Sequence, residues 1–143
     1  MPLLLLLLLL LFHPGARVHS NSWGTPGQGA YTSKALDADR YMFDHPDFLF
    51  VVAAGNAGRS GYTSIHSPGV SKNALTVGAS AAAPHHDSLI YFSGVGYGYD
   101  QGMIKPNVVA PGTSLTSAGV RMGNETNSCN VQVMSGTRCD LQG

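Results

Sequence analysis

The run Phe48-Leu49-Phe50-Val51-Val52-Ala53-Ala54 constrains this chain more than any other segment. A continuous apolar stretch of this length, rich in Phe and Val, predicts a parallel strand buried on both faces. It passes directly into Gly55-Asn56-Ala57-Gly58, so the predicted strand ends in a glycine-rich turn. The flanking segments fit the same scheme. Arg17 to Asn21 reads as a short strand that stops at the turn-rich Gly24-Thr25-Pro26-Gly27. Tyr31 to Phe43 contains neither Gly nor Pro and places apolar residues at 31, 35, 38, 41 and 42, a helical spacing closed by Pro46. Ala74 to Gly78 and Val108 to Ala110 read as further short strands. Strand, helix and buried strand in succession predict a right-handed βαβ unit, and so an α/β fold with a mostly parallel sheet flanked by helices.

Composition narrows the function. The chain has 143 residues, enough for one domain, and only 11% of them are charged, against about 25% in an average soluble protein. Eight basic and eight acidic side chains give a formal net charge of zero, without a run of like charge. Nucleic acid and anionic membrane surfaces both call for a concentrated basic field, so neither is an expected partner. Eighteen glycines and eight prolines are spread along the chain, which fits a loop-rich globular domain.

The N-terminus carries an unbroken leucine run from Leu3 to Leu11, extended by Phe12. It is shorter than the ~20 apolar residues a membrane-spanning helix needs. Two readings stay open: the apolar core of a secretory signal, which predicts secretion, or a low-complexity segment extraneous to the fold. No Lys or Arg precedes the leucines, which weakens the first.

In an open parallel sheet, ligands bind beyond the carboxyl ends of the strands. Asn21-Ser22-Trp23-Gly24 and Gly55-Asn56-Ala57-Gly58 both fall at such ends. Glycines there let a substrate backbone approach closely, and the Asn56 amide is a neutral donor able to stabilise a developing oxyanion. The alternative is that Asn56 only shapes a turn. His85-His86 reads as a solvated loop rather than a metal site, because the spacing suggests no third ligand. Gly94-Val95-Gly96-Tyr97-Gly98 follows an aromatic segment, read as a strand, and opens no helix, so it is not a phosphate loop. No metal or organic cofactor is expected.

Four segments in order carry a resemblance. They are Ser20 to Gly24, Val51 to Gly58, Ser67-Pro68-Gly69 through Lys72 to Ala79, and Ile104-Lys105-Pro106-Asn107-Val108-Val109-Ala110-Pro111-Gly112. Together they resemble the later part of a subtilisin-like serine protease (subtilase) catalytic domain, over roughly residues 15 to 137. Residues 1–14 and the tail 138–143 lie outside it. The resemblance implies a serine endopeptidase that works through an acyl-enzyme, on peptides in extended conformation. It makes Asn56 the oxyanion-hole residue. Ser22, Trp23 and Gly24 become the substrate-pairing strand and one wall of the S1 pocket, with Ala53, Ala54 and Gly55 as the opposite wall. Asn107 stands where many members have Asp, a swap expected to matter little.

The chain departs from the family at the triad. The family's Asp and His precede the first strand seen here, where this chain has the leucine run. Met134-Ser135-Gly136-Thr137 matches the approach to the nucleophile, but Arg138 follows where serine is expected. Ser135 lies upstream of that position and has no base expected beside it. The resemblance therefore implies a protease fragment that is inactive on its own; the alternative is a non-catalytic, peptide-binding pseudoprotease. An unrelated nucleotide-binding α/β domain is disfavoured by the missing Gly-rich strand-to-helix turn. Asn124-Glu125-Thr126 is an N-glycosylation sequon, and Cys129 and Cys139 form either one disulfide or two free thiols.

Overall fold

The computed structural model describes residues 15–26, 28–85, 87–97, 102–119 and 130–136. The leucine run, the sequon, both cysteines, His86, Thr137 and the tail lie outside the described residues. A parallel four-stranded sheet forms the centre. Its strands are β1 (Val18–Asn21), β2 (Leu49–Ala53), β3 (Leu75–Ser80) and β6 (Val108–Pro111), in the order β1-β2-β3-β6. Helix α1 (Ser33–Asp44) makes the crossover from β1 to β2. Two small antiparallel pairs complete the described chain: β4 (Gly96–Tyr97) with β5 (Ile104–Lys105), and β7 (Leu115–Gly119) with β8 (Asn130–Met134). The α/β class and the parallel sheet are as the sequence predicts.

Helix α1 begins two residues later than the spacing suggests, and the reason is local. Thr32 holds the extended N-cap geometry, but its hydroxyl is bonded to the Ser67 hydroxyl at 2.5 Å rather than capping the helix. At the other end the His45 N–H donates to the Tyr41 carbonyl, and Pro46 prevents a further turn. The helix buries Ala35, Ala38, Tyr41 and Met42 along one stripe. Ala38, Tyr41 and Met42 pack with Phe48, Phe50, Val52 and Ala74, and Trp23 closes the edge of this cluster. Phe48 meets the Tyr41 ring edge-on at 5.0 Å. Side chains this large contribute about 1.5–3 kcal/mol each when fully buried, so this cluster anchors helix to sheet.

Burial along β2 alternates instead of being two-sided. Phe50 and Val52 face α1 and are buried, whereas Leu49 is 38% exposed and Val51 half-buried. The register carries this apolar second face across the sheet through Val18↔Leu49, Val51↔Leu75 and Val77↔Val108. α1 is the one α-helix among the described residues, and it covers the other face. The expectation of cover on both faces is therefore met on one of them within this set.

β1 carries two polar side chains toward the helix-covered face, level with Phe50 and Val52. Nδ1 of His19 and Nδ2 of Asn21 are buried with no hydrogen-bond partner. Burial also pushes the His19 pKa below its ordinary value. Each such orphan costs about 1–3 kcal/mol, so these two side chains weaken β1.

Candidate functional site

The register brings the two predicted segments together. Asn21 pairs with Val52 in adjacent parallel strands, so Ser22-Trp23-Gly24 and Ala53-Ala54-Gly55-Asn56 leave the sheet side by side at its carboxyl end. The residues just after them, Pro26 and Ala57, line a cleft of about 500 Å³ with Gln28, Ser60, Thr63, Ser64 and His66, and none of the seven predicted residues is itself in that lining. Thr25 and Ser67 close one side with a reciprocal pair of backbone hydrogen bonds of 2.9 and 3.1 Å. Lys34 reinforces that side by donating to the Thr25 hydroxyl at 2.9 Å while lying 5.2 Å from the Trp23 ring centre.

Asn56 is half-buried just beyond the end of β2. The turn that holds it is fixed from below. The Gly94 N–H donates to the Gly55 carbonyl at 2.8 Å, and the Gly58 N–H donates to the Phe92 carbonyl at 2.8 Å. Ser93, fully buried between these contacts, accepts a hydrogen bond from the Ala79 N–H at 2.9 Å. This corrects the strand expected at Tyr91-Phe92-Ser93. The segment forms a turn because its polar groups are spent on bracing the β2 and β3 ends rather than on pairing with a neighbour.

His66 is the residue that sequence reasoning missed. Its backbone N–H donates to the Ala54 carbonyl at 3.0 Å. Its side chain lies between the α-carbons of Gly24 and Gly55. A methyl group at Gly55 would come within 2.6 Å of Nδ1 and 2.7 Å of Cδ2, and one at Gly24 within 2.8 Å of the His66 Cβ. The imidazole thus joins the two predicted walls. No helical or strand period marks His66, and the only signal was its place next to Ser67-Pro68-Gly69.

Gly55 also has φ of +98°, a conformation that side chains with a Cβ rarely adopt. Gly55→Ala is expected to cost about 1 kcal/mol in stability and to dislodge the His66 ring. Urea melts followed by the fluorescence of Trp23, the single tryptophan, would measure the first effect.

The other predicted positions are accounted for differently. The Ser135 hydroxyl accepts from the Ser114 N–H at 2.8 Å in an exposed turn after β8. His85 is exposed. Among the described residues no group of three or more His, Cys, Asp or Glu side chains could hold a metal ion, and no helix is long and apolar enough to cross a membrane.

Comparison with known proteins gives this geometry its family. The model of the subtilase family, Peptidase_S8, matches residues 8–139. The chain belongs to the subtilase family. Curated relatives include two serine protease/ABC transporter B family proteins of Dictyostelium discoideum. TagD is 41% identical over 73 residues, and tagA is 36% identical over 89 residues. The matched regions are 48% and 60% of this subtilase chain but only 4% and 5% of those relatives. Among solved structures, the prenylagaramide maturation protease PagA superposes with a TM-score of 0.68 at 22% identity, covering 94% of this chain and 42% of its own. The PatG macrocyclase, solved in complex with a peptide, gives 0.67 at 21% identity, covering 94% of this chain and 36% of its own. At these identities the solved structures establish the subtilisin-like fold alone.

Proposed function

We propose that this chain is the substrate-binding part of a subtilisin-like serine endopeptidase domain, holding an extended peptide and offering Asn56 as the oxyanion donor. In this reading Ser22-Trp23-Gly24 pairs with the peptide backbone by strand addition. Ala53-Ala54-Gly55 forms the facing wall of the pocket for the side chain next to the scissile bond. The observation that carries it is the side-by-side exit of these two strand ends from the sheet, with Pro26 and Ala57, the residues that follow them, lining one cleft. The peptide held by the PatG macrocyclase is consistent with such a use of the fold. An amide donor fixed before the reaction stabilises developing negative charge without the cost of reorganising solvent.

Acyl transfer also needs a serine activated by a paired histidine. This chain supplies Arg138 where the nucleophile is expected and engages Ser135 in a backbone contact. The 143-residue chain is therefore expected to show no peptidase turnover by itself. A fluorescent fluorophosphonate probe tests this directly. Absence of labelling, with retained binding of an extended peptide, supports the reading. Stoichiometric labelling of the chain would show that a reactive serine is assembled after all.

A further inference from the structure

Charged residues are only 11% of this chain, and one of them stands against the segment that leaves β1. Lys34, half-buried near the start of α1, reaches across to that segment. Its ammonium donates to the Thr25 hydroxyl at 2.9 Å and lies 5.2 Å from the centre of the Trp23 ring. The hydrogen bond and the cation–π attraction act on the same nitrogen, so together they hold the charge at one place. No described carboxylate pairs with it. Asp37, one turn along α1, is only 8% exposed, and the Asp39 carboxylate is taken up by Tyr31, Lys72 and Asn73. Ser22, Trp23 and Gly24 make no backbone hydrogen bond to other described residues, so their backbone groups are available to a partner strand.

We propose that Lys34 selects peptides with an acidic side chain, Glu above all, at the position that pairs with Trp23. The inference rests on the reading of Ser22-Trp23-Gly24 as a peptide-pairing strand and gives that strand a substrate class. Paired residues of adjacent strands point their side chains to one face, about 4.5–5.5 Å apart at Cβ. The side chain opposite Trp23 therefore runs beside the indole, toward the ammonium that lies over it. A Glu carboxylate arriving there meets a cation already held in place, so less side-chain entropy opposes the pair. The indole, half-buried against the α1–β2 core, keeps water from one side of that pair and strengthens the attraction. Asp is one methylene shorter, and Lys brings a like charge.

The test uses the full chain fused to a solubilising protein, with protection of β2 and β3 amides from hydrogen exchange as the check of fold. Fluorescein-labelled alanine hexapeptides carry a single Glu, Gln or Lys at each inner position in turn. They are titrated by fluorescence polarisation against the fusion and against the fusion partner alone, at low and at high salt. At one position Glu is expected to bind about fivefold more tightly than Gln at low salt, with Lys weaker than both. High salt should shrink that margin by screening the pair. Lys34→Met keeps an apolar stem over Trp23 and removes the charge, so Glu and Gln peptides should become equal. Lys34→Glu should reverse the order and favour Lys. Equal binding of Glu and Gln at every position, or a Glu preference that survives Lys34→Met, overturns this inference and leaves the peptide site standing. Failure of every peptide to bind the protected fusion overturns both.

Discussion

Asp39→Ala is expected to lower the stability of the chain by about 3–4 kcal/mol, a large part of the 5–15 kcal/mol that holds a typical domain folded. Asp39 is 8% exposed on the inner side of α1, and its carboxylate joins three separate segments. One oxygen accepts from the Tyr31 hydroxyl at 2.6 Å and from the Lys72 N–H at 3.0 Å; the other accepts from the Asn73 N–H at 2.7 Å. Asn73 returns a bond from its amide to the Asp39 carbonyl at 3.0 Å. Alanine would remove the charged acceptor of two backbone N–H groups and of the Tyr31 phenol at the entry to β3, and hydrogen bonds to a charged group contribute about 1.5–3 kcal/mol each. Asp39→Asn keeps the shape and one acceptor oxygen, so it should cost about half as much. Urea unfolding followed by Trp23 fluorescence would rank the three proteins. Equal midpoints for wild type and Asp39→Ala would show that the α1–β3 joint is not structural.

Asp39 also shows where sequence reasoning stops. The period of Tyr31 to Phe43 identified the apolar stripe of α1, and Ala35, Ala38, Tyr41 and Met42 are buried as that stripe requires. A helical period says nothing about a buried carboxylate, because its partners come from residues 33 and 34 positions away. The parallel strands were legible for the same kind of reason: apolar runs bounded by glycine and proline leave few alternatives. The two strand ends at Ser22-Trp23-Gly24 and Gly55-Asn56 were legible as a pair, since adjacent parallel strands must deliver their C-termini to one edge. His66 was not, because it reaches the cleft along an irregular segment whose path is set by the Thr25–Ser67 bridge. The turn at Tyr91-Phe92-Ser93 was misread as a strand, since aromatic residues signal β-structure only where neighbours are free to pair.

The resemblance implies that Asn in place of Asp at position 107 matters little, and the structure shows what that side chain holds. Its Oδ1 accepts from the Thr76 N–H at 2.8 Å and from the Lys105 ammonium at 2.9 Å, and Lys105 donates also to the Ala74 carbonyl at 2.9 Å. Lys105 is 1% exposed, and its nearest neighbours are neutral oxygens. Burial lowers its pKa from 10.5 to about 8, partly offset by the field of Asp39. Below pH 8 the lysine is charged in both folded and unfolded chains, and the desolvation penalty is present in full. Between that folded value of about 8 and the unfolded value of 10.5, the unfolded chain binds more protons, so stability rises with pH. The gain from pH 7 to 9.5 is expected to be about 1–2 kcal/mol, once residual solvent screening of the ammonium is allowed for. Measurement should stop there, because Tyr41, whose pKa burial raises above 10.0, opposes the trend at higher pH. Asn107→Asp places a carboxylate against the ammonium while keeping an acceptor for Thr76, which returns the Lys105 pKa toward its ordinary value. The variant should be more stable than wild type at pH 7 by about 1–2 kcal/mol and should lose the rise toward pH 9.5. Denaturant melts of both proteins at the two pH values decide it: parallel curves would mean that Lys105 does not carry the pH dependence.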